Sequence, residues 1–333
     1  MLQIQLPHHG SPTPIPAKIF VLPFSVNDDQ LVDYAVLLLR REFDFPGVER
    51  RVSILSGSQT GILVLTNYLL EHGIPCDREF GIRLIHLQGR YLTLRWRQVL
   101  EQTWRAAISN KYSLAEVFGG ASWCRKCNGF HFDPHVVPEI IDFSGKRTLI
   151  EGCGVLLLTS LYPFVQLQPM IRYFTGDVFT LDPGRCSQPR FEFRGRLSHA
   201  LFNPEDPEDL WLSGVDLVEA LDPLPEINRT IRFRDVTRVR FAHATGRLLV
   251  RGYYRRAKGR HHLRLRAEVS VPLWLYPARW RELEGKIIAG VLKCAPRLAE
   301  LVSAGAVTFQ VEFVKPGTLN SLERNTQLWM EEE

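Results

Sequence analysis

The sequence predicts an α+β protein: a mostly helical N-terminal domain ending in a small metal site, then a C-terminal antiparallel β domain with one packing helix. Three observations predict it. Apolar residues recur at helical spacing through much of the first 110 residues. Cysteines and histidines crowd together at positions 124–135. Beyond about residue 190, apolar residues alternate with arginines, as in half-buried strands.

Composition sets the frame. The chain has 333 residues, 45% of them apolar and 23% charged, with a net charge of +5. That is an ordinary globular composition, long enough for two domains. The expected division is an extended arm at 1–23, a helical domain with the metal site at 24–175, a β-rich basic domain at 190–315 and a loose tail at 316–333. Gly176, Pro183-Gly184 and Pro189 mark the boundary between the two domains. Six cysteines are scattered apart from one close pair, which is no disulfide framework and points to a reducing compartment. With no basic-then-apolar leader and no bilayer-length apolar run, the expected place is the cytoplasm, with no membrane partner.

The elements follow in order. Pro7, Pro12, Pro14, Pro16 and Pro23 suit an extended arm, with a strand at Lys18–Leu22. Asn27-Asp28-Asp29 caps a helix from Gln30 to Arg41, with Leu31, Tyr34, Ala35 and Leu38 on one stripe. Val48–Leu55, the turn Ser56-Gly57-Ser58 and an apolar helix at Gln59–Glu71 form a helix-turn-helix pattern. In that pattern Gln59, Thr60, Thr66 and Asn67 would face a base or a phosphate. Residues 92–109 predict a core helix through Trp96, Leu100, Trp104, Ala107 and Ile108. Pro277–Leu292 reads as the packing helix and Val307–Phe313 as a half-buried strand.

The metal candidates are Cys124, Cys127, His131 and His135, at C-x2-C-x3-H-x3-H spacing, with Cys153 as an alternative ligand. Two thiolates two residues apart can reach one ion, and sulfur with imidazole is the donor set of Zn2+. A structural zinc is therefore expected. His131, Asp133 and His135 also alternate as ligands of a hydrolytic metal would. Yet no H-E-x-x-H, no G-x-S-x-G and no phosphate-binding glycine loop is read in the chain, so the expectation is a protein that is not an enzyme.

Charge points to a partner. Residues 228–268 hold twelve arginines and one lysine against two acids, whereas residues 200–227 hold eight acids and no lysine or arginine. Arg232, Arg234, Arg238 and Arg240 share one parity, as do Arg251, Tyr253 and Arg255, and as do Arg264 and Arg266. Arg255, Arg256, Lys258 and Arg260 would form a basic hairpin tip. A guanidinium-covered sheet face fits nucleic acid or another polyanion. It also fits an acidic protein surface, such as the 200–227 block of the same chain or of a second copy. Strands followed by a C-terminal helix resemble a pleckstrin-homology-like small barrel.

Cys124, Cys127, Gly129, Phe130 and His135, preceded by the tryptophan-bearing helix around Trp104, resemble FlhC-like zinc-containing DNA-binding transcriptional regulators. The resemblance covers residues 30–155. That family's second cysteine pair is represented only by Cys153. The resemblance implies a zinc-stabilised nucleic-acid-binding protein, DNA before RNA. The rival expectations are an assembly subunit docking through its arginine face and a metal-dependent hydrolase at His131, Asp133 and His135.

Overall fold

The computed structural model describes residues 1–4, 22–24, 26, 29–47, 49–89, 91–184, 186–230, 246–270, 275–319 and 327–332. Most of the proline arm, and with it all but Leu22 of the strand expected at Lys18–Leu22, lies outside them, as do Arg232, Arg234, Arg238 and Arg240. The chain forms two compact units, one built on Met1–Trp123 and the other on Cys124–Thr230 with Arg247–Glu333.

The first unit is built on a parallel sheet, not on helices alone. Its elements are β1 (Leu2–Ile4), β2 (Leu22–Phe24), α1 (Asp29–Arg40), β3 (Ile54–Ser58), α2 (Gln59–Glu71), α3 (Cys76–Glu79), β4 (Leu84–Gln88), α4 (Leu94–Trp104), β5 (Ala107–Ser113) and β6 (Gly120–Cys124). The strands run in the order β2-β1-β3-β4-β5-β6. The pairs β1–β2, β1–β3, β3–β4 and β4–β5 are parallel, and β5–β6 is antiparallel. Parallel neighbours need crossovers, and α2 and α4 supply two of them. The core joins Val32, Ala35 and Leu39 of α1 to Leu55, Ile62, Leu65, Leu69, Ile85, Leu100 and Trp104. The helix-turn-helix reading fails here, because Ile54–Ser58 is a strand and eight residues of α2 are buried. The helix expected over 92–109 stops at Trp104. Arg105 turns left-handed at φ 47°, and the chain re-enters the sheet as β5.

The second unit opens with an antiparallel sheet in the order β7-β12-β11-β10-β8-β9. Its strands are β7 (Gly129–Phe132), β8 (Val136–Ile141), β9 (Thr148–Leu149), β10 (Gly152–Ser160), β11 (Tyr173–Asp182) and β12 (Arg190–Arg196). Then come the hairpin β13 (Leu201–Asn203) and β14 (Asp206–Leu212), helix α5 (Gly214–Leu221), and the short pair β15 (Arg229–Thr230) and β16 (Arg247–Leu248). The last part holds β17 (Val250–Ala257), β18 (Arg260–Glu268), α6 (Pro277–Cys294), α7 (Pro296–Ser303), β19 (Val307–Val314) and β20 (Trp329–Glu331). Its sheet runs β19-β18-β17-β20, antiparallel at β17–β18 and parallel at both flanks. That is an open mixed sheet rather than a small antiparallel barrel. Leu263, Leu265 and Ala267 pack with Trp280, Leu283, Ile287 and Val291 of α6.

One turn of this unit carries a pH signature. Asp142 is 2% exposed and closes the β8–β9 connection. It accepts the N–H of Lys146 at 2.7 Å, the N–H of Arg147 at 3.1 Å and the Arg147 guanidinium at 3.1 Å. Burial alone would raise its carboxyl, but the Arg147 and Lys146 donors outweigh it and hold it at about 2. The folded value lies below the unfolded one, so its contribution is present above about pH 4 and is lost as pH falls towards about 2. Asp142→Asn should lower the urea midpoint near neutrality, and the gap from wild type should close on the acid side.

Candidate functional site

The parallel sheet of the first unit ends in a polar edge. Ser58 and Gln88 end β3 and β4, and their register partner Lys111 lies near the carboxyl end of β5. In open α/β sheets, ligands bind outside these ends. The run Ser56-Gly-Ser-Gln-Thr-Gly61 passes here directly from strand into helix. Ser58 is extended, caps α2 and accepts the Gly61 N–H at 3.1 Å. The first turn of α2 holds no acidic residue. A helix start with intrahelically unpaired N–H groups and no carboxylate over it favours an anion. Further into the sheet, His86 lies 3.3 Å from the Ser109 hydroxyl. Burial first, and the Lys111 charge second, pull its pKa down and keep the ring neutral. The apolar spacing predicts a turn between two helices here and no phosphate-binding glycine turn, whereas the residues before the turn form a strand. The cue that could have found it was a Gly- and Ser-rich turn after a short apolar run.

The proposed base contacts on α2 do not form an exposed reading face. Gln59 is 7% exposed, Thr66 donates to the Ile62 carbonyl at 2.7 Å, and Thr60 and Asn67 are half-buried. This helix cannot lie in a groove.

The arginine face exists, but much of it is matched within the chain. Arg251, Tyr253 and Arg255 of β17 stand opposite Arg266, Arg264 and His262 of β18. Glu312 of β19 takes Arg266 at 2.9 Å and Arg264 at 3.3 Å, and Glu332 also pairs with Arg264. Arg264 and Arg266 flank the Tyr253 ring, and Arg251 donates to the Gln327 carbonyl at 2.7 Å. Arg256 pairs with Glu205. Arg255, Lys258 and Arg260 are exposed at the hairpin tip. The acidic block is used in the same way. Asp209 holds Arg297, Asp216 holds Arg194 and Glu226 holds Arg279. Glu208 accepts the N–H groups of Phe143 and Ser144. Of the two partners open to the 200–227 acids, their own chain or a second copy, these contacts are with their own chain.

Among the described residues, one cluster could hold a metal: Cys124, Cys127, His131 and Cys186, with all ligand atoms within 4.8 Å of one another. Three of the five sequence candidates meet here, and Cys186 joins them. His135 lies elsewhere, 3.9 Å from Asp133 and beside the Phe164 ring. Cys153 sits in β10 opposite Thr180. His131 is therefore separate from the Asp133–His135 pair, and the three do not form a hydrolytic triad of ligands. Backbone N–H donation from Cys127 pulls the Cys124 thiol down, while burial pushes Cys127 up.

No protein-family model matches the chain. No curated protein matches it either. Solved structures do. An open conformation of 2-hydroxyisobutyryl-CoA ligase, in complex with 2-HIB-AMP and CoA, is 17% identical over 94% of this chain and 61% of its own, at a TM-score of 0.60. An ATP-bound RpMatB–BxBclM chimera is 15% identical over 93% and 53%, at a TM-score of 0.53. A benzoate CoA ligase from Burkholderia xenovorans LB400 is 14% identical over 92% and 54%, at a TM-score of 0.50. The chain thus has the fold of acyl-CoA ligases and spans about six-tenths or less of their length.

That likeness corrects several expectations. The fold is that of acyl-CoA ligases, not of FlhC-like regulators, and not a helical domain followed by a pleckstrin-homology-like barrel. It overturns the non-catalytic DNA-binding reading, and with it the nucleic-acid partner and the expectation that the protein is not an enzyme. The geometry already speaks against the other two readings: His131 stands with the cysteines apart from Asp133 and His135, and Glu312, Glu332 and the Gln327 carbonyl take Arg266, Arg264 and Arg251 of the face that docking would need. Among the described residues, no helix is long and apolar enough to cross a membrane.

Proposed function

We propose that this protein binds ATP and activates a carboxylic acid as its acyl adenylate, for transfer to a thiol such as coenzyme A. The observation that carries the reading is the match of 94% of the chain to a ligase holding an acyl-AMP and CoA. An ATP-bound structure with the same fold supports it. In this chemistry a carboxylate oxygen attacks the α-phosphorus of ATP and pyrophosphate leaves. The thiol sulfur then attacks the acyl carbon and AMP leaves. Both steps gather negative charge on phosphate oxygens, which fixed N–H donors stabilise. The start of α2, capped by Ser58 and followed by Gln59 and Thr60, is where this chain would supply such donors.

Thr60→Glu tests the assignment. A carboxylate in the first turn suits the helix dipole, so the fold should hold or gain slightly. The same carboxylate would stand against a phosphate at a cost of about 1–4 kcal/mol. ATP titrated into the wild type should bind saturably, and the variant should bind tenfold more weakly or worse. Equal binding by both would remove the loop from the site. The proposed compartment is the cytoplasm, since three clustered cysteines without a disulfide suit reducing conditions.

A further inference from the structure

We infer that Cys124, Cys127, His131 and Cys186 bind one zinc ion in a closed, structural four-ligand site. The donor set is three sulfurs and one imidazole, the Cys3His combination of structural zinc. The spacing fits. Zn–S bonds of about 2.3 Å and Zn–N bonds of about 2.1 Å place tetrahedral donors about 3.6–3.8 Å apart. Here all four donor atoms lie within 4.8 Å of one another, and Cys127 Sγ stands 3.3 Å from His131 Nε2.

The surroundings are built for a ligand. His131 Nδ1 is 3.0 Å from the Pro189 carbonyl. A ring N–H donated there leaves the Nε2 lone pair facing the sulfurs, the outer-shell arrangement that orients metal-bound histidines. Cys124 and Cys127 flank a tight turn closed by the Asn128 N–H on the Cys124 carbonyl at 2.9 Å, with Asn128 left-handed at φ 58°. Gly129 follows because Arg190 packs over it, and a Cβ there would come within 2.5 Å of Arg190 Cγ. Arg190 also donates to the Asn128 carbonyl at 3.3 Å, placing a cation beside a site that carries one net negative charge when zinc is bound. Cys186 comes from the connection between β11 and β12, so the ion would tie the start of β7 to the segment entering β12. These strands pair only through Phe130 and Phe191 among the described residues. With four protein donors the site keeps no open position, so the ion holds structure and takes no part in adenylation.

The test is the metal content of full-length protein purified under reducing conditions. Wild type, His135→Gln and Cys153→Ser should each carry about one zinc per chain, and Cys186→Ser at least tenfold less. If Cys186→Ser does not fold, cobalt added to chelated wild type gives the second readout. It should produce the intense visible bands of a tetrahedral, thiolate-rich site. Wild type that holds no zinc and gives no such bands would overturn the inference. So would zinc that survives Cys186→Ser, or a disulfide joining two of the three cysteines.

Discussion

Asp216→Ala is expected to lower the stability of the second unit by about 3–5 kcal/mol. The carboxylate is 7% exposed and serves two roles. It completes a capping box at the start of α5, accepting the Ser213 N–H at 3.0 Å and the Ser213 hydroxyl at 2.7 Å while Ser213 caps its own N–H. It also takes Arg194 through both oxygens, at 2.9 and 3.1 Å. Loss of a cap costs about 1 kcal/mol, and removal of one partner of a buried pair costs the larger share. Glu192, 3.1 Å from Arg194, limits the damage. The pair also fixes where α5 meets β12, since Gly195 approaches so closely that a Cβ would lie 3.0 Å from Gly214 Cα. Chemical denaturation checks this. Asp216→Asn, which keeps the acceptor oxygen and loses the charge, should fall between wild type and alanine.

Trp104→Ala is the comparable lesion in the first unit, expected to cost about 3–5 kcal/mol. The side chain is 1% exposed, and its ring centroid lies 6.1 Å from that of Phe80. Its Nε1–H donates to the Thr66 hydroxyl at 2.9 Å, pinning α4 to α2. Alanine would leave a large cavity and remove a donor from a buried hydroxyl. Trp104→Phe fills most of the space without that hydrogen bond and should cost less than half as much. Because α2 presents the proposed phosphate loop, the alanine variant should also weaken ATP binding, whereas phenylalanine should change it little. A denaturation midpoint and an ATP titration on the three proteins measure both effects.

Individual elements were legible where apolar spacing is periodic and ended by breakers. The helix over Gln59–Glu71 lies where the spacing places it, and the strand expected from Val307 runs to Val314. The fold class was not legible. β3 and β4 are five residues each, buried or half-buried throughout, and carry no long alternation. Buried parallel strands read as short apolar runs that periodicity cannot separate from helix. The misreading of Ile54–Ser58 concealed the strand–loop–helix unit and produced a helix-turn-helix in its place. The arginine alternation did locate β17 and β18, but Glu312 and Glu332 lie far along the chain, and only the folded register brings them to Arg264 and Arg266. At the cysteine cluster, C-x2-C and His131 were visible from local spacing. Cys186 was not, since a ligand 59 residues beyond Cys127 bears no spacing signal and is chosen by the β11–β12 connection.

The most direct measurement is mass spectrometric detection of acyl-adenylate and pyrophosphate when the protein is incubated with ATP, magnesium and a panel of aliphatic and aromatic carboxylic acids. Wild type is predicted to form both products with at least one acid, and Thr60→Glu, folded by circular dichroism, to form them at least about tenfold more slowly at sub-saturating ATP. Saturable ATP binding would have to accompany the products. A wild-type protein that binds no ATP and yields no adenylate with any acid, while remaining folded, would contradict the account.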